Sequence, residues 1–368
     1  MAKKISEALQ EYQNRSIQLN VNPLVIYVES VKGCPYSCAM CHYRMTKPHK
    51  ISENLLHKIA PYYKDLEVLT IHGAGEPLLG DLEYFVTQAK KHNFVLHMNT
   101  TAFFLTESIS NLLAETRLSI RFSIHAGKPE TYKKVMGHDF NRIRKNIEYL
   151  MDRTRNSGEK HDFWLSFIVL RENIHEIQDF LRLAYELGIK NVRLVQLIPN
   201  WNTVKGVRMS ADFTFKYFQQ SNNRIFKLFL EKLPEYKDLA DELGVNIRYG
   251  TMTSGAKGIN NVKLMINDLT RIASGRNIFP MQKNLGSCLA PWLGQLVISQ
   301  NGNVRLCCLT DYVLGNLHEA SLSEIWNSSR MQRIRRAFHH GYIPRICGFC
   351  RGYDFSNYPC NSFREIPR

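Results

Sequence analysis

The stretch Leu24-Val25-Ile26-Tyr27-Val28-Glu29, followed closely by Gly33-Cys34-Pro35-Tyr36-Ser37-Cys38-Ala39-Met40-Cys41, decides how this chain is read. The first six residues are rich in β-branched and aromatic side chains and predict a strand. The cysteines follow at its carboxyl end, three residues separating the first pair and two the second. So short a loop offers no fourth thiolate. A cubane iron–sulfur cluster held there keeps one iron without a protein ligand, and an open iron is where a small molecule binds and reacts. The competing readings are a structural zinc loop with His42 as fourth ligand, and three unrelated core thiols.

Working outward, five further runs predict strands: Leu66–Gly73, Phe94–Thr100, Leu118–Ile124, Phe163–Leu170 and Val192–Ile198. Amphipathic stretches such as Leu82–His92, Glu130–Met151 and His175–Leu187 lie between them. Strand and helix in alternation imply an α/β fold with a parallel sheet. Six units suit an open, partial (β/α)6 barrel of the TIM type, and a doubly wound sheet is the competitor. Either fold puts ligands at the carboxyl ends of the strands. The expected organisation is an N-terminal helix over 1–20, the barrel over 21–200, a bridging helical region over 201–285 with a breaker-rich patch at Thr253–Asn261, and a cysteine-rich domain over 286–368. In the last of these, Gln295–Ser299 and Asn303–Cys307 flank Gln300-Asn301-Gly302, a hairpin turn.

The 368 residues are 44% hydrophobic, enough for a large core. No apolar run is long enough to span a bilayer. The polar, lysine-bearing start is no secretory signal, so a cytoplasmic setting with reduced thiols is expected, favouring metal ligation over disulfides. The net charge is +15 and the pI about 9.4. Because that charge is spread along the chain, it reads as a solvated basic surface rather than a nucleic-acid face. The run Arg330-Met331-Gln332-Arg333-Ile334-Arg335-Arg336 reads as an amphipathic helix with a basic outer side.

A second motif, His72-Gly73-Ala74-Gly75-Glu76-Pro77, closes the second strand. Its glycines let backbone approach a ligand closely, and Glu76 could hold an amine or orient the loop. The alternative is a plain tight turn.

Taken together, the CxxxCxxC loop and the GGE-like turn resemble the radical S-adenosylmethionine (SAM) enzymes, over roughly Leu24 to Ile198. The resemblance implies a [4Fe–4S] cluster on Cys34, Cys38 and Cys41 whose open iron binds SAM. Reduction then gives a 5′-deoxyadenosyl radical that abstracts a hydrogen atom from substrate. It also implies SAM contacts from Gly73, Gly75, Glu76 and Ser123, although Ser123 equally suits a strand-end hydroxyl capping a turn. Ala74 departs from the commoner glycine. His125 stands where the family often has an acid, and it is assigned no role.

In the last quarter, Cys288, Cys307 and the pair Cys347-Gly348-Phe349-Cys350 can enclose a metal, and a zinc ribbon is the alternative. Beside the first motif, this region resembles the SPASM or twitch extension of the same enzymes. That resemblance implies one auxiliary [4Fe–4S] cluster on Cys288, Cys307, Cys347 and Cys350, with Cys308 and Cys360 left over. Cys308 is a candidate hydrogen-atom donor or a small buried hydrophobe. The expected activity is oxidation or epimerisation of a small polar substrate (a sugar, aminocyclitol or nucleoside-like compound), fed by an electron donor such as flavodoxin or ferredoxin. The alternatives are a maturase of a ribosomally made peptide, a nucleoside triphosphate cyclase and a non-catalytic metal-bearing nucleic-acid-binding module.

Overall fold

A computed structural model describes residues 2–71, 74–197, 207–208, 214–250, 279–280, 288–308, 310–340, 342–344 and 346–347. Gly73, Cys350, Cys360 and the patch Thr253–Asn261 lie outside them.

Ten strands form one sheet: β1 (Val25–Val28), β2 (Val68–Ile71), β3 (Val95–Thr100), β4 (Leu118–Ser123), β5 (His161–Val169), β6 (Asn191–Gln196), β7 (Asn246–Gly250), β8 (Gly294–Ile298), β9 (Asn303–Arg305) and β10 (Val313–Asn316). Their order is β7-β6-β5-β4-β3-β2-β1-β8-β9-β10. From β7 to β8 every neighbouring pair is parallel. Beyond β8 the sheet continues as the antiparallel β8–β9–β10 meander. Among the described residues β7 and β8 are not paired, so the sheet is a partial barrel, as expected for the mixed α/β fold.

The connecting helices follow the sequence pattern. They are α1 (Ala2–Gln13), α2 (Glu53–Ile59), α3 (Leu82–His92), α4 (Glu107–Ala114), α5 (Pro129–Met136), α6 (Phe140–Arg155), α7 (Ile177–Glu186), α8 (Asn223–Leu243), α9 (Leu322–Trp326) and α10 (Ser329–His339). Glu130–Met151, expected as one stretch, is two helices. Gly137 ends α5 in the left-handed region (φ 84°), and the Asp139 side chain accepts from Asn141 N to start α6. A Cβ at Gly137 would strike Ser37 Oγ, so this break also makes room for the cysteine loop.

One face of each barrel strand packs on the helices. Phe167 of β5 meets Phe180 of α7 with ring centroids 4.7 Å apart, and on β4 Leu118, Ile120 and Phe122 are fully buried. Alternation therefore turns Asp162, Trp164 and Ser166 of β5 the other way, into the barrel. The register pairs Arg121 with Trp164 and Ser123 with Ser166, so Arg121 and Ser123 share that inner face.

The basic run departs from expectation at one residue. Met331, Ile334 and Phe338 form the buried face of this amphipathic helix, but Arg335 is buried with them instead of standing on an outer side. Its guanidinium donates to Pro291 O (2.7 Å), Trp326 O (2.8 Å), Ile17 O (3.0 Å) and Asn327 Oδ1 (3.1 Å). A five-donor fork surrounded by carbonyls offsets the cost of burial. The segment before β1 is tied down by the same region. Trp292 Nε1 donates to Ser16 O (2.9 Å), Trp326 Nε1 to Val21 O (3.0 Å), and Leu19 N to Asn327 Oδ1 (2.9 Å).

Candidate functional site

The three leading cysteines leave β1 through a short hairpin, Val31–Lys32 against His49–Lys50, which returns the loop to its starting point. Within the loop, Cys34 N donates to Thr46 Oγ1 (3.0 Å), Thr46 N to Cys34 O (2.9 Å) and Met45 N to Tyr36 O (2.9 Å). Ala39 N donates to Val135 O of α5 (2.8 Å). Tyr36 is the anchor. Its hydroxyl lies 2.9 Å from that of Tyr132, and its ring sits against Phe103 (5.3 Å) and His138 (3.7 Å).

Cys38 is buried, and Cys34 and Cys41 are half-buried. Burial pushes the Cys34 thiol up to about 11, and Glu76 and Cys41 add to the rise. Burial drives Cys38 well above its ordinary value, with Cys41 and Cys34 next in effect, and burial also raises Cys41. The three thiols thus oppose one another's ionisation, a repulsion that bound iron would cancel. Among the described residues no three Cys, His, Asp or Glu side chains converge on one point.

The second turn is clamped to the first. Gly33 and Gly75 form a parallel backbone bridge, and Gly33 N donates to Ala74 O at 2.7 Å. Gly33 holds φ 94°, and a Cβ on it would fall 2.2 Å from Lys47 O. Glu76 is buried, and its carboxylate is engaged by the protein. Oε1 accepts from Thr100 Oγ1 (2.6 Å) and Leu78 N (3.3 Å), and Oε2 from Thr101 Oγ1 (3.0 Å) and Thr101 N (3.1 Å). Burial raises its pKa and these donors oppose the rise. Glu76 therefore locks the carboxyl ends of β2 and β3 together.

Ser123 ends β4 on the inner face, half-buried. His125, two residues on, is buried. Its Nδ1 lies 3.1 Å from Ser166 O and 3.2 Å from Ile168 N, tying the ends of β4 and β5, and burial lowers it to about 4. It is a neutral strut at neutral pH.

In the C-terminal region Cys288 is half-buried just before the turn that feeds β8. Cys307 is half-buried after β9, the adjacent Cys308 is exposed, and Cys347 is half-buried near the end of the described chain. Because β8 runs beside β1, with Leu24 N donating to Leu293 O (2.8 Å) and Glu29 N to Ile298 O (2.9 Å), this region is continuous with the strand that carries the leading cysteines. Arg305 spans the joint, pairing with Glu29 (3.0 Å) and Asp311 (3.2 Å).

Sequence reasoning missed the barrel lumen. Arg121 (β4), Arg193 (β6) and Arg248 (β7) all face inward, with Arg193 and Arg248 paired in register. The Arg248 guanidinium stacks 4.8 Å from the centroid of the Trp164 ring. The charge of Asp162 acts on Arg121, and its carboxylate accepts from Trp164 Nε1 (2.8 Å), Ser119 Oγ (3.3 Å) and Asn191 Nδ2 (3.5 Å). The signal was present as arginines alternating with apolar residues in each strand, but the registers that assemble them are not written locally.

Residues 28–184 match the radical SAM superfamily, and residues 288–351 match SPASM, an iron–sulfur cluster-binding domain. A probable GTP 3′,8-cyclase of Saccharolobus islandicus is 27% identical over 172 residues, covering 45% of this chain and 54% of that protein. The tungsten-containing aldehyde ferredoxin oxidoreductase cofactor-modifying protein of Pyrococcus furiosus is 23% identical over 186 residues, 47% and 51% of the two chains. The chain thus spans about half the length of the curated relatives it matches. Among solved structures, Streptococcus suis SuiB superposes with a TM-score of 0.62 at 14% identity, covering 91% of this chain and 72% of SuiB. The anSMEcpe structure with bound AdoMet has a TM-score of 0.58 at 16% identity, covering 94% and 99%. Among the described residues no helix is long and apolar enough to cross a membrane. With the open parallel barrel and the cysteine-rich meander both accounted for, the chain belongs to the radical SAM superfamily and carries a C-terminal SPASM domain.

Proposed function

We propose that this radical SAM enzyme modifies a peptide by hydrogen-atom abstraction. The observation that carries the reading is the extent of the structural likeness. Barrel and SPASM region together superpose on SuiB bound to its precursor peptide SuiA, over 94% of this chain (TM-score 0.61), whereas the sequence match to the nucleotide cyclase covers 45% of it. The anSMEcpe enzyme, also of similar fold over 94% of the chain, has been solved with AdoMet and peptide. The expectation of a small polar substrate becomes the second reading, supported by the cyclase relatives of the barrel.

In this proposal Cys34, Cys38 and Cys41 hold the SAM cluster, and Gly73, Gly75, Glu76 and Ser123 line the SAM site. Cys288, Cys307, Cys347 and Cys350 hold one auxiliary [4Fe–4S] cluster. The residues fit the leading cluster. They offer three thiols that repel one another when ionised, in a loop whose glycine bridge leaves no room for side chains. When bound, the cluster and SAM supply the radical that abstracts hydrogen. The chain's own work is positional. Tyr36 fixes the loop, Glu76 fixes the facing turn, and the inner faces of β4 to β7 hold the substrate. Cys308 is exposed, the accessible state that a hydrogen-atom donor requires.

The test is anaerobic reduction of reconstituted protein with SAM and a candidate peptide. Wild type should release 5′-deoxyadenosine. The variant with Cys34, Cys38 and Cys41 all replaced by Ala should not, while keeping the iron of the auxiliary site. Cleavage that survives in the triple variant overturns the assignment.

A further inference from the structure

We propose that the outer strand of the cysteine loop, with Met45 at its tip and Lys47, His49 and Lys50 beside it, is the docking face for an acidic one-electron carrier protein. The inference rests on the function proposed above, in which each reductive cleavage of SAM takes one electron from outside. It adds where on this chain that electron enters.

Placement comes first. Residues 45–47 close the loop by running back along residues 33–36. Thr46 N donates to Cys34 O (2.9 Å), Cys34 N to Thr46 Oγ1 (3.0 Å) and Met45 N to Tyr36 O (2.9 Å). One strand spacing, about 4.8 Å, therefore separates this outer backbone from that of Cys34. Cys34 and Cys41 are themselves half-buried. The other sides of the loop are covered by protein. Cys38 is buried, Ala39 N donates to Val135 O of α5 (2.8 Å), and the Tyr36 ring packs on Phe103 and His138. His42, Met45, Thr46 and Lys47, by contrast, are exposed. An electron arriving at the outer strand has a single layer of chain to cross.

Chemistry comes second. From Val31 to Ser52 the chain carries Lys32, Arg44, Lys47 and Lys50, with His42 and His49, and no Asp or Glu. Lys32, His42, Lys47, His49 and Lys50 are all exposed. Elsewhere on the surface basic side chains are answered by acids, as in Lys90–Glu115 (2.8 Å), Lys134–Glu172 (2.6 Å) and Arg144–Glu186 (3.0 Å). The acids flanking this segment are committed to other work. Glu29 pairs with Arg305 (3.0 Å), and Glu53 sits in the first turn of α2, where the positive end of the helix meets it. Met45 is 72% exposed, more than any other large apolar side chain among the described residues. It also holds φ 53°, a left-handed conformation that Gly or Asn adopts more readily. An apolar thioether ringed by cations suits a brief encounter. The charges steer an acidic partner into place, and the small apolar contact lets it leave once it has reacted. In that encounter the carrier loses one electron and the leading [4Fe–4S] cluster gains it, passing from the 2+ to the 1+ level. No bond forms or breaks and no proton moves.

The probe is a flavodoxin of net negative charge, used with the anaerobically reconstituted holoenzyme. Calorimetric titration with its oxidised form reads binding, and stopped-flow oxidation of its fully reduced form reads electron transfer. Wild type should bind with a Kd of about 100 μM or tighter at low salt. Both affinity and rate should fall about tenfold as salt is raised from about 0.05 to 0.3 M. Reversing the charge in the double variant Lys47→Glu, Lys50→Glu should weaken both by about tenfold at low salt, and Lys47→Gln with Lys50→Gln should fall between. Met45→Asn, which suits the positive φ, should weaken binding about threefold and leave the salt dependence as it is. Dithionite needs no docking face, so it should bleach the leading cluster to the same extent in every variant. The inference is overturned if flavodoxin does not bind, if salt or charge reversal leaves its binding unchanged, or if dithionite bleaching is lost in step with binding. In the last case the lysines serve the cluster and not a partner. Displacement of flavodoxin by a duplex oligonucleotide or by a candidate peptide would likewise overturn it and assign the face to that ligand. Failure of dithionite to reduce the wild-type cluster would sink the function itself and this inference with it, whereas a loss confined to the flavodoxin measurements leaves the function standing.

Discussion

Gly33 and Gly75 meet in a parallel backbone bridge so close that a Cβ on Gly75 would lie 2.4 Å from Gly33 O and 2.9 Å from Val31 O. Both obstacles are main chain, which cannot swing aside as a flexible side chain does. Gly75→Ala should therefore separate the cysteine loop from the turn that carries Glu76. The expected cost is about 1–3 kcal/mol by chemical denaturation, with loss of the leading cluster's share of iron. A variant with wild-type iron and stability would show that the bridge is dispensable.

Tyr36 and Tyr132 join the cysteine loop to α5 through a hydroxyl pair at 2.9 Å. Tyr36→Phe leaves the buried Tyr132 hydroxyl short of a partner and should cost about 1–3 kcal/mol. Replacing both by Phe should recover part of that, with a coupling of about 1 kcal/mol in a double-mutant cycle of unfolding free energies. Additive losses would mean that the two hydroxyls act independently.

Arg335 is expected to be irreplaceable by lysine. Its four acceptors, Pro291 O, Trp326 O, Ile17 O and Asn327 Oδ1, need a planar fork. Arg335→Met should lower stability by about 3 kcal/mol or more, because several buried carbonyls lose their donor. Arg335→Lys should restore less than half. Urea unfolding checks the ranking, and limited proteolysis near Ile17 should show the segment before β1 released in both variants.

Acid should weaken the fold through His125. Its pKa falls from 6.5 to about 4 on folding because burial disfavours the charged ring. The unfolded chain therefore binds the extra proton between those values, and the contribution is full above about 6.5 and lost as pH falls towards 4. Between pH 7 and pH 5 this amounts to about 2 kcal/mol. His125→Asn should flatten that part of the stability–pH curve, which anaerobic denaturant titrations at several pH values would reveal. His42, His138 and His161, also lowered by burial, act in the same direction.

Much of the barrel is legible locally. β1 to β6 announce themselves as β-branched and aromatic runs between amphipathic helices, and the observed strands fall within a few residues of the expected ones. The cysteine loop is legible because its spacing is itself the signal. What escapes depends on partners distant in sequence. Asn246-Ile247-Arg248-Tyr249-Gly250 has few apolar residues and sits in a stretch expected to be helical, yet it extends the sheet by pairing with Asn191–Val195. Arg335 looks like any other member of a basic run until the carbonyls of Ile17 and Pro291 close around it. The inward arginines are ordinary alternating polar residues until three registers align them. The role of Glu76 in fastening β2 to β3 depends on Thr100 and Thr101, which no pattern around Glu76 foretells.

The joining of β8 to β1 has a consequence for biogenesis. A nascent chain that has emerged only as far as β7 presents β1 as a bare edge, with Val25–Val28 offering unpaired amides to any passing strand. The groups that seat Ser16 and Ile17 are made 276 and 318 residues later. At ribosomal speeds the delay is roughly 15–60 s. The length of that exposure is set by elongation alone, so faster elongation shortens it and a change in the rate of initiation leaves it as it is.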